Sequence, residues 1–210
     1  MVKQARRARP LELKNRFTML HTQRKAAHMG DDEQLETLWS ERLITHTMLK
    51  LGHSLDTGDW AAHASCFTDP VNINFAKFTG FDEVRVGAVL WARFAELILS
   101  TAPRHHMLSN FKITVDGDRA YATVDMISSL WTATELGTAT NRQYGWYDVW
   151  FVRQENEWNI SRLKHDVKGV DGNAATLENH DPEFAAIAQE VFSPANMGAA
   201  KAYLIQIGGS

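Results

Sequence analysis

RHHMLSNFKITVDGDRAYATV, residues 104–124, decides how the chain is read. Two runs of alternating apolar and polar residues flank DGD, a turn signal, so the stretch predicts an antiparallel hairpin. Outward from it, HHMLSNFKITV, AYATVDMISSLWTAT, QYGWYDVWFVRQ and EWNISRLKHDV form four β-rich segments. They are joined by DGD, by ELGTATN and by ENE. Before the hairpin the periodicity is helical. Leu35, Leu38, Trp39, Ile44, Met48, Leu51 and Leu55 recur at helical spacing behind Asp31 and Asp32, and Gly58 closes the run. Asp59 is placed to cap a short helix, WAAHASCF. VNINFAKF reads as a strand, residues 82–100 as an amphipathic helix, and PEFAAIAQEVF as a helix before a flexible GGS end. The order predicts an α+β fold in which helices cover one face of a curved sheet.

Composition narrows the function classes. With 210 residues, 44% hydrophobic content, seven Trp and ten Phe, the chain can bury a core. No apolar run reaches the roughly 20 residues of a membrane-spanning helix, so no membrane partner is expected. Cys66 is the single cysteine, which excludes an intrachain disulfide and a Cys-based zinc site and fits a cytoplasmic setting. Residues 1–29 carry eight Lys and Arg against Glu12, so the net charge of −3 leaves about −10 for the rest. The acidic body argues against nucleic-acid binding. Residues 1–30 are expected to be a disordered basic extension rather than a transit peptide or nucleic-acid arm. Residues 31–168 would form the domain, and 169–210 a C-terminal extension with a short helix.

The order and spacing of SLDTGDW (54–60), RHHMLSN (104–110), VDGDRA (115–120) and YDVWFVRQENEWNISRLK (147–164) resemble the SnoaL-like branch of the nuclear transport factor 2-like superfamily. The resemblance implies a cone: a bent mixed sheet wrapped by three helices around a deep pocket. It also implies a chemistry. In members similar to scytalone dehydratase, hexachlorocyclohexane dehydrochlorinase and bile acid dehydratase, an aspartate ending the first long helix orients a proton-abstracting histidine. Asp56 and His106 match these two positions. Other positions depart from those members: Leu55, Asn74 and Phe75 stand near expected tyrosines, Val124 and Asp125 near a histidine, and Asp166 near an arginine. Scytalone and the dehydrochlorinase reaction are therefore poor fits.

The residues can be weighed without the family. Asp56 lies at the negative end of a helix dipole, where it either bonds the DTGD turn amides or takes a cationic partner. A carboxylate on histidine Nδ1 fixes the tautomer and leaves Nε2 as a base near neutral pH. A strand histidine more commonly serves as a hydrogen-bonded structural residue. Alternation on a strand puts His105 and His106 on opposite faces; the resemblance then implies His106 inward, which leaves His105 structural or interfacial. Yet the same alternation would turn Phe111, Ile113 and Val115 away from the pocket. Either a bulge near Ser109 and Asn110 switches the faces, or the apolar face packs in a dimer.

Asn74, Asn110, Asp125, Tyr144, Tyr147, Trp150 and His165 are candidate substrate-binding residues, while Trp91 and Phe94 read as core. Nine scattered histidines contain no metal motif, and His53 with Asp56 is only a weak pair, so no metal is expected. The leading expectation is a cofactor-independent lyase or isomerase of dehydratase type acting on a small apolar, cyclic or polyketide-like metabolite. A homodimer or homotrimer through the sheet face would accompany it. The alternatives are a non-catalytic ligand-binding or assembly subunit resembling the β subunit of aromatic-ring dioxygenases, and a polyketide cyclase or epoxide hydrolase.

Overall fold

A computed structural model of the chain describes residues 30–100, 102–173 and 179–207. The basic segment 1–29 and the GGS end lie outside the described residues. Helix α1, Asp31–Thr57, turns Ser40, Ile44, Met48, Leu51 and Leu55 inward at steps of three and four residues. Each of its large apolar side chains contributes roughly 1.5–3 kcal/mol by leaving water. The inward face begins only at Ser40. Leu35, Leu38 and Trp39, expected in the apolar stripe, are exposed because no described element covers the first turns. Gly58, at φ 76°, ends the helix and donates its N–H to the Ser54 carbonyl at 2.9 Å. Asp59 then caps α2, Trp60–Ala64, by accepting from the Ala62 N–H at 2.9 Å.

Two boundaries differ from expectation. VNINFAKF is not strand throughout: β1 spans Phe67–Asn74, and a single turn, α3, Ala76–Thr79, follows. The Asn74 side-chain oxygen accepts from the Ala76 N–H at 3.2 Å and turns the chain out of the sheet. Residues 82–100 are not one helix either. Val84 and Val86 are buried on either side of Arg85 in β2, Val84–Val86, which pairs antiparallel with β1. Helix α4, Ala88–Leu99, begins only after Gly87, where the Asp69 carboxylate accepts from the Ala88 N–H at 3.1 Å.

The long strands are β3 (Arg104–Asp116), β4 (Arg119–Thr134), β5 (Gly137–Gln154) and β6 (Glu157–Gly172). The sheet order is β2-β1-β6-β5-β4-β3, antiparallel except for the parallel pair β1 and β6. The fold is α+β, a six-stranded mixed curved sheet with helices in the N-terminal half over its inner face. Ile44, Met48 and Leu51 of α1 share one core with Val124, Met126, Phe151, Trp158 and Ile160 of the strands. The expected C-terminal helix is α5, Pro182–Val191, and a second, α6, Pro194–Gln206, follows it. Among the described residues no helix is long and apolar enough to cross a membrane.

A bulge in β3 settles how that strand turns over. Ser109 pairs with Asp125 and Lys112 with Thr123, so Asn110 and Phe111 lie opposite Val124 alone. Asn110 takes the left-handed φ of 51° that the extra residue needs. Before the bulge His106 and Leu108 face inward; after it Phe111, Ile113 and Val115 do, and Leu108 and these three pack on the core. One strand thus delivers a histidine and an apolar run to the same interior.

Candidate active site

Asp56 sits in the last turn of α1 and His106 at the start of β3, and three hydrogen bonds join them. His106 donates its backbone N–H to both carboxylate oxygens at 2.9 and 3.0 Å, and its ring Nδ1 lies 2.7 Å from Oδ1. His105 reaches the other oxygen through Nδ1 at 3.0 Å. Burial alone would raise the Asp56 pKa. The hydrogen bonds from the His106 ring and backbone, with the nearby His106 and His105 charges, outweigh it and hold the carboxyl below its ordinary 3.8. An ionised Asp56 assigns the tautomer: His106 carries its proton on Nδ1 and a lone pair on Nε2. Asp56 therefore acts on the histidines rather than capping the DTGD turn.

Arg104 secures this corner. Its guanidinium donates to the Leu55 carbonyl through Nε and to the Leu99 carbonyl at 2.8 Å, tying the C-terminal ends of α1 and α4 together. A cation at the end of α1 also offsets the adverse dipole that a terminal carboxylate meets.

His106 is 5% exposed and His105 61%, so the pleat separates the pair as expected, although both reach Asp56. The His106 ring enters a cavity of about 90 Å³, of the same order as the roughly 150 Å³ cavity that admits benzene. Leu51 and Leu55 of α1, Phe75, Phe78, Trp91 and Phe94 form much of its apolar wall. Its polar groups are His63, His106, Ser128, Gln143, Tyr147 and His165, and among the described residues no Lys, Arg, Asp or Glu lines it. The Ser128 hydroxyl lies 3.1 Å from His106 Nε2 and donates to its lone pair. Burial keeps the Tyr147 phenol protonated by raising its pKa well above the ordinary value.

Of the candidates from sequence, Asp56, His106, Tyr147 and His165 are brought together. Five others lie outside the cavity lining. Asn74 bonds Glu83 at 3.1 Å in a network with Asn72 and Arg162. Asn110 occupies the bulge and donates to Asp125 at 2.7 Å on the outer face, because Asp125 alternates with buried Val124 and Met126. Trp150 shares that outer face, where the Arg162 guanidinium stacks 4.3 Å from its ring. Tyr144 alternates outward next to buried Gln143. Trp91 and Phe94 are buried, as expected of core, and also wall the cavity.

His63, Ser128 and Gln143 were missed. His63 gives a faint signal, a lone imidazole among the alanines of a short helix. Among the described residues no cluster of three or more His, Cys, Asp or Glu side chains is placed to hold a metal ion.

Residues 36–164 match the family of the SnoaL-like domain. No curated protein matches the chain in sequence. Among solved structures, Kfla4162 from Kribbella flavida is similar with a TM-score of 0.64 at 20% identity, covering 67% of this chain and 98% of that one. A candidate scytalone dehydratase from Novosphingobium aromaticivorans aligns with a TM-score of 0.57 at 18% identity, over 65% of this chain and 89% of its own. A type 2 hexachlorocyclohexane dehydrochlorinase aligns with a TM-score of 0.56 at 17% identity, over 71% of this chain and 98% of its own. At these identities the likeness is one of fold. With a matched segment of that length, the chain belongs to the SnoaL-like domain family of the nuclear transport factor 2-like superfamily.

Proposed function

We propose that the protein is a cofactor-independent lyase or isomerase of dehydratase type, with His106 as the base and Asp56 as its orienting carboxylate. The observation that carries this reading is an imidazole whose Nδ1 is pinned 2.7 Å from an ionised carboxylate while its ring enters an apolar cavity. The substrate is a small, largely apolar, cyclic or polyketide-like molecule with a carbonyl beside the reacting C–H. His106 Nε2 takes the proton, and the C–H electron pair forms an enolate. The imidazolium is stabilised by Asp56, and the pair, which carries one negative charge at rest, becomes neutral overall. Tyr147, protonated and buried, donates a hydrogen bond to the oxygen on which charge develops. The enolate then expels a β-hydroxyl, which leaves as water with the proton from Nε2, or is reprotonated at another carbon to shift the double bond. A homo-oligomer would use the outer sheet face, where Tyr121 and Trp150 present packed, half-buried rings.

The test is a panel of neutral cyclic β-hydroxyketones, assayed for the absorbance of the conjugated enone formed on water loss. Wild type should convert at least one member. His106→Ala should lose roughly 10²–10⁴-fold in rate with little change in melting. A folded His106→Ala that keeps the wild-type rate overturns the assignment.

A further inference from the structure

His63 on α2 and His165 on β6 both line the cavity, and neither belongs to the Asp56–His106 pair. They are 3% and 4% exposed, and neither nitrogen of either ring has a hydrogen-bond partner among the described residues. Buried polar atoms in native proteins are nearly all bonded, so four unpartnered nitrogens on two residues that line one cavity call for an occupant. His165 is held by rings, 4.7 Å from Phe75 and 5.3 Å from Tyr147 between centroids. His63 is held 5.2 Å from Phe67 and 6.2 Å from Trp60. Packing of this kind fixes the rings through their faces and edges, and no described residue satisfies their nitrogens.

Burial, with a smaller effect from His106, pushes both imidazoles down to about 4, so both are neutral at neutral pH. A neutral imidazole offers one donor and one acceptor, the complement of a hydroxyl. A carboxylate entering the same cavity would lose its water and find no Lys or Arg among the described residues of the wall.

We propose that His63 and His165 are substrate-positioning residues, each hydrogen-bonding one oxygen substituent of a neutral, ring-sized substrate held against His106. The inference rests on the cavity being the substrate site of the proposed lyase or isomerase, and it narrows the substrate to uncharged rings bearing at least two oxygens. These two residues orient the ring, and His106 does the chemistry.

The test uses the full chain with resorcinol, benzene and benzoate as probes, titrated by saturation-transfer NMR. Resorcinol should bind about tenfold or more tightly than benzene, and benzoate should not bind. His63→Phe and His165→Phe should each weaken resorcinol by about fivefold while leaving benzene unchanged. Their melting temperatures should equal or exceed that of wild type, since each variant removes buried unpaired polar atoms. Equal binding of resorcinol and benzene, benzoate binding as tightly as resorcinol, or no binding of any probe overturns the proposal. Unchanged resorcinol affinity in Phe variants that melt lower would show a purely structural role and also overturn it. Loss of this selectivity leaves the base assignment of His106 standing, whereas turnover in His106→Ala removes the base and leaves the binding result intact.

Discussion

Acidification from pH 7.5 to 5 perturbs His63 and His165 before most other buried groups respond. Each has a pKa of about 4 in the folded chain against an ordinary 6.5, because burial disfavours its charged form. Between those values the unfolded chain binds more protons than the folded one, so stability rises with pH across the window and falls on acidification. At pH 5 an unfolded imidazole is almost fully charged, while the folded one is neutral about nine times in ten. Each group then destabilises the fold by about 2 kcal/mol relative to pH 7.5, growing to about 3 kcal/mol below pH 4. Two such groups remove about 4 kcal/mol at pH 5, a large part of the roughly 5–15 kcal/mol that holds a domain together. Asp56 and Asp166 titrate lower and do not enter this window. Burial opposes ionisation of Asp166, but hydrogen bonds from Lys77 and Lys168 prevail and hold it at about 2; its contribution is complete above the ordinary 3.8 and lost only as pH falls toward 2. Urea unfolding followed by Trp fluorescence at several pH values measures the slope in wild type, His63→Phe, His165→Phe and the double variant. Each single variant should lose about half of the slope, and the double variant should be nearly flat. A flat wild-type profile, or a full slope surviving in the double variant, refutes the reasoning.

Three further substitutions probe the frame of the site. Asp56→Asn removes the charge that His106 Nδ1–H and the His106 N–H address, and should lower unfolding free energy by roughly 1–3 kcal/mol in urea. Gly145→Ala would place its Cβ 2.2 Å from the Asp166 carbonyl oxygen, where β5 and β6 run close beside His165. Calorimetry should show a loss of about 1–3 kcal/mol, because neither strand can withdraw without distorting the sheet. Asn110→Val forces a β-branched residue to φ 51° and should destabilise by roughly 1–3 kcal/mol, whereas Asn110→Gly should be near neutral by the same measurement.

The Asp56–His106 pair was legible through the family resemblance carried by SLDTGDW and RHHMLSN, with which the helix stop at Gly58 and the strand alternation through RHHM agree. The bulge was legible as one of two choices, since Phe111–Val115 had to be buried somewhere. Ser128 was not legible. A regular hairpin continued from the Asp116–Arg119 pair would set His106 opposite Ser129, but the extra residue at Asn110 shifts the partner to Ser128. A one-residue slip of this kind is decided by tertiary packing and flips the side chain concerned. Asn74 and Asp125 lie outside the cavity lining for a related reason. Polar residues in β-rich runs look like pocket groups until the opposite face is seen to carry its own networks around Glu83 and Asn110. The strand Val84–Val86 was hidden inside an amphipathic pattern because two valines two residues apart fit a helix end and a short edge strand equally well.

Whether His106 takes a proton from carbon is tested most directly by hydrogen–deuterium exchange at the α-carbon of cyclohexanone in D₂O, followed by proton NMR. Wild type should accelerate the exchange above buffer, Asp56→Asn should do so more weakly, and folded His106→Ala should fall to the buffer rate. Equal exchange by wild type and His106→Ala, with matching melting curves, would contradict the assignment of His106 as the base.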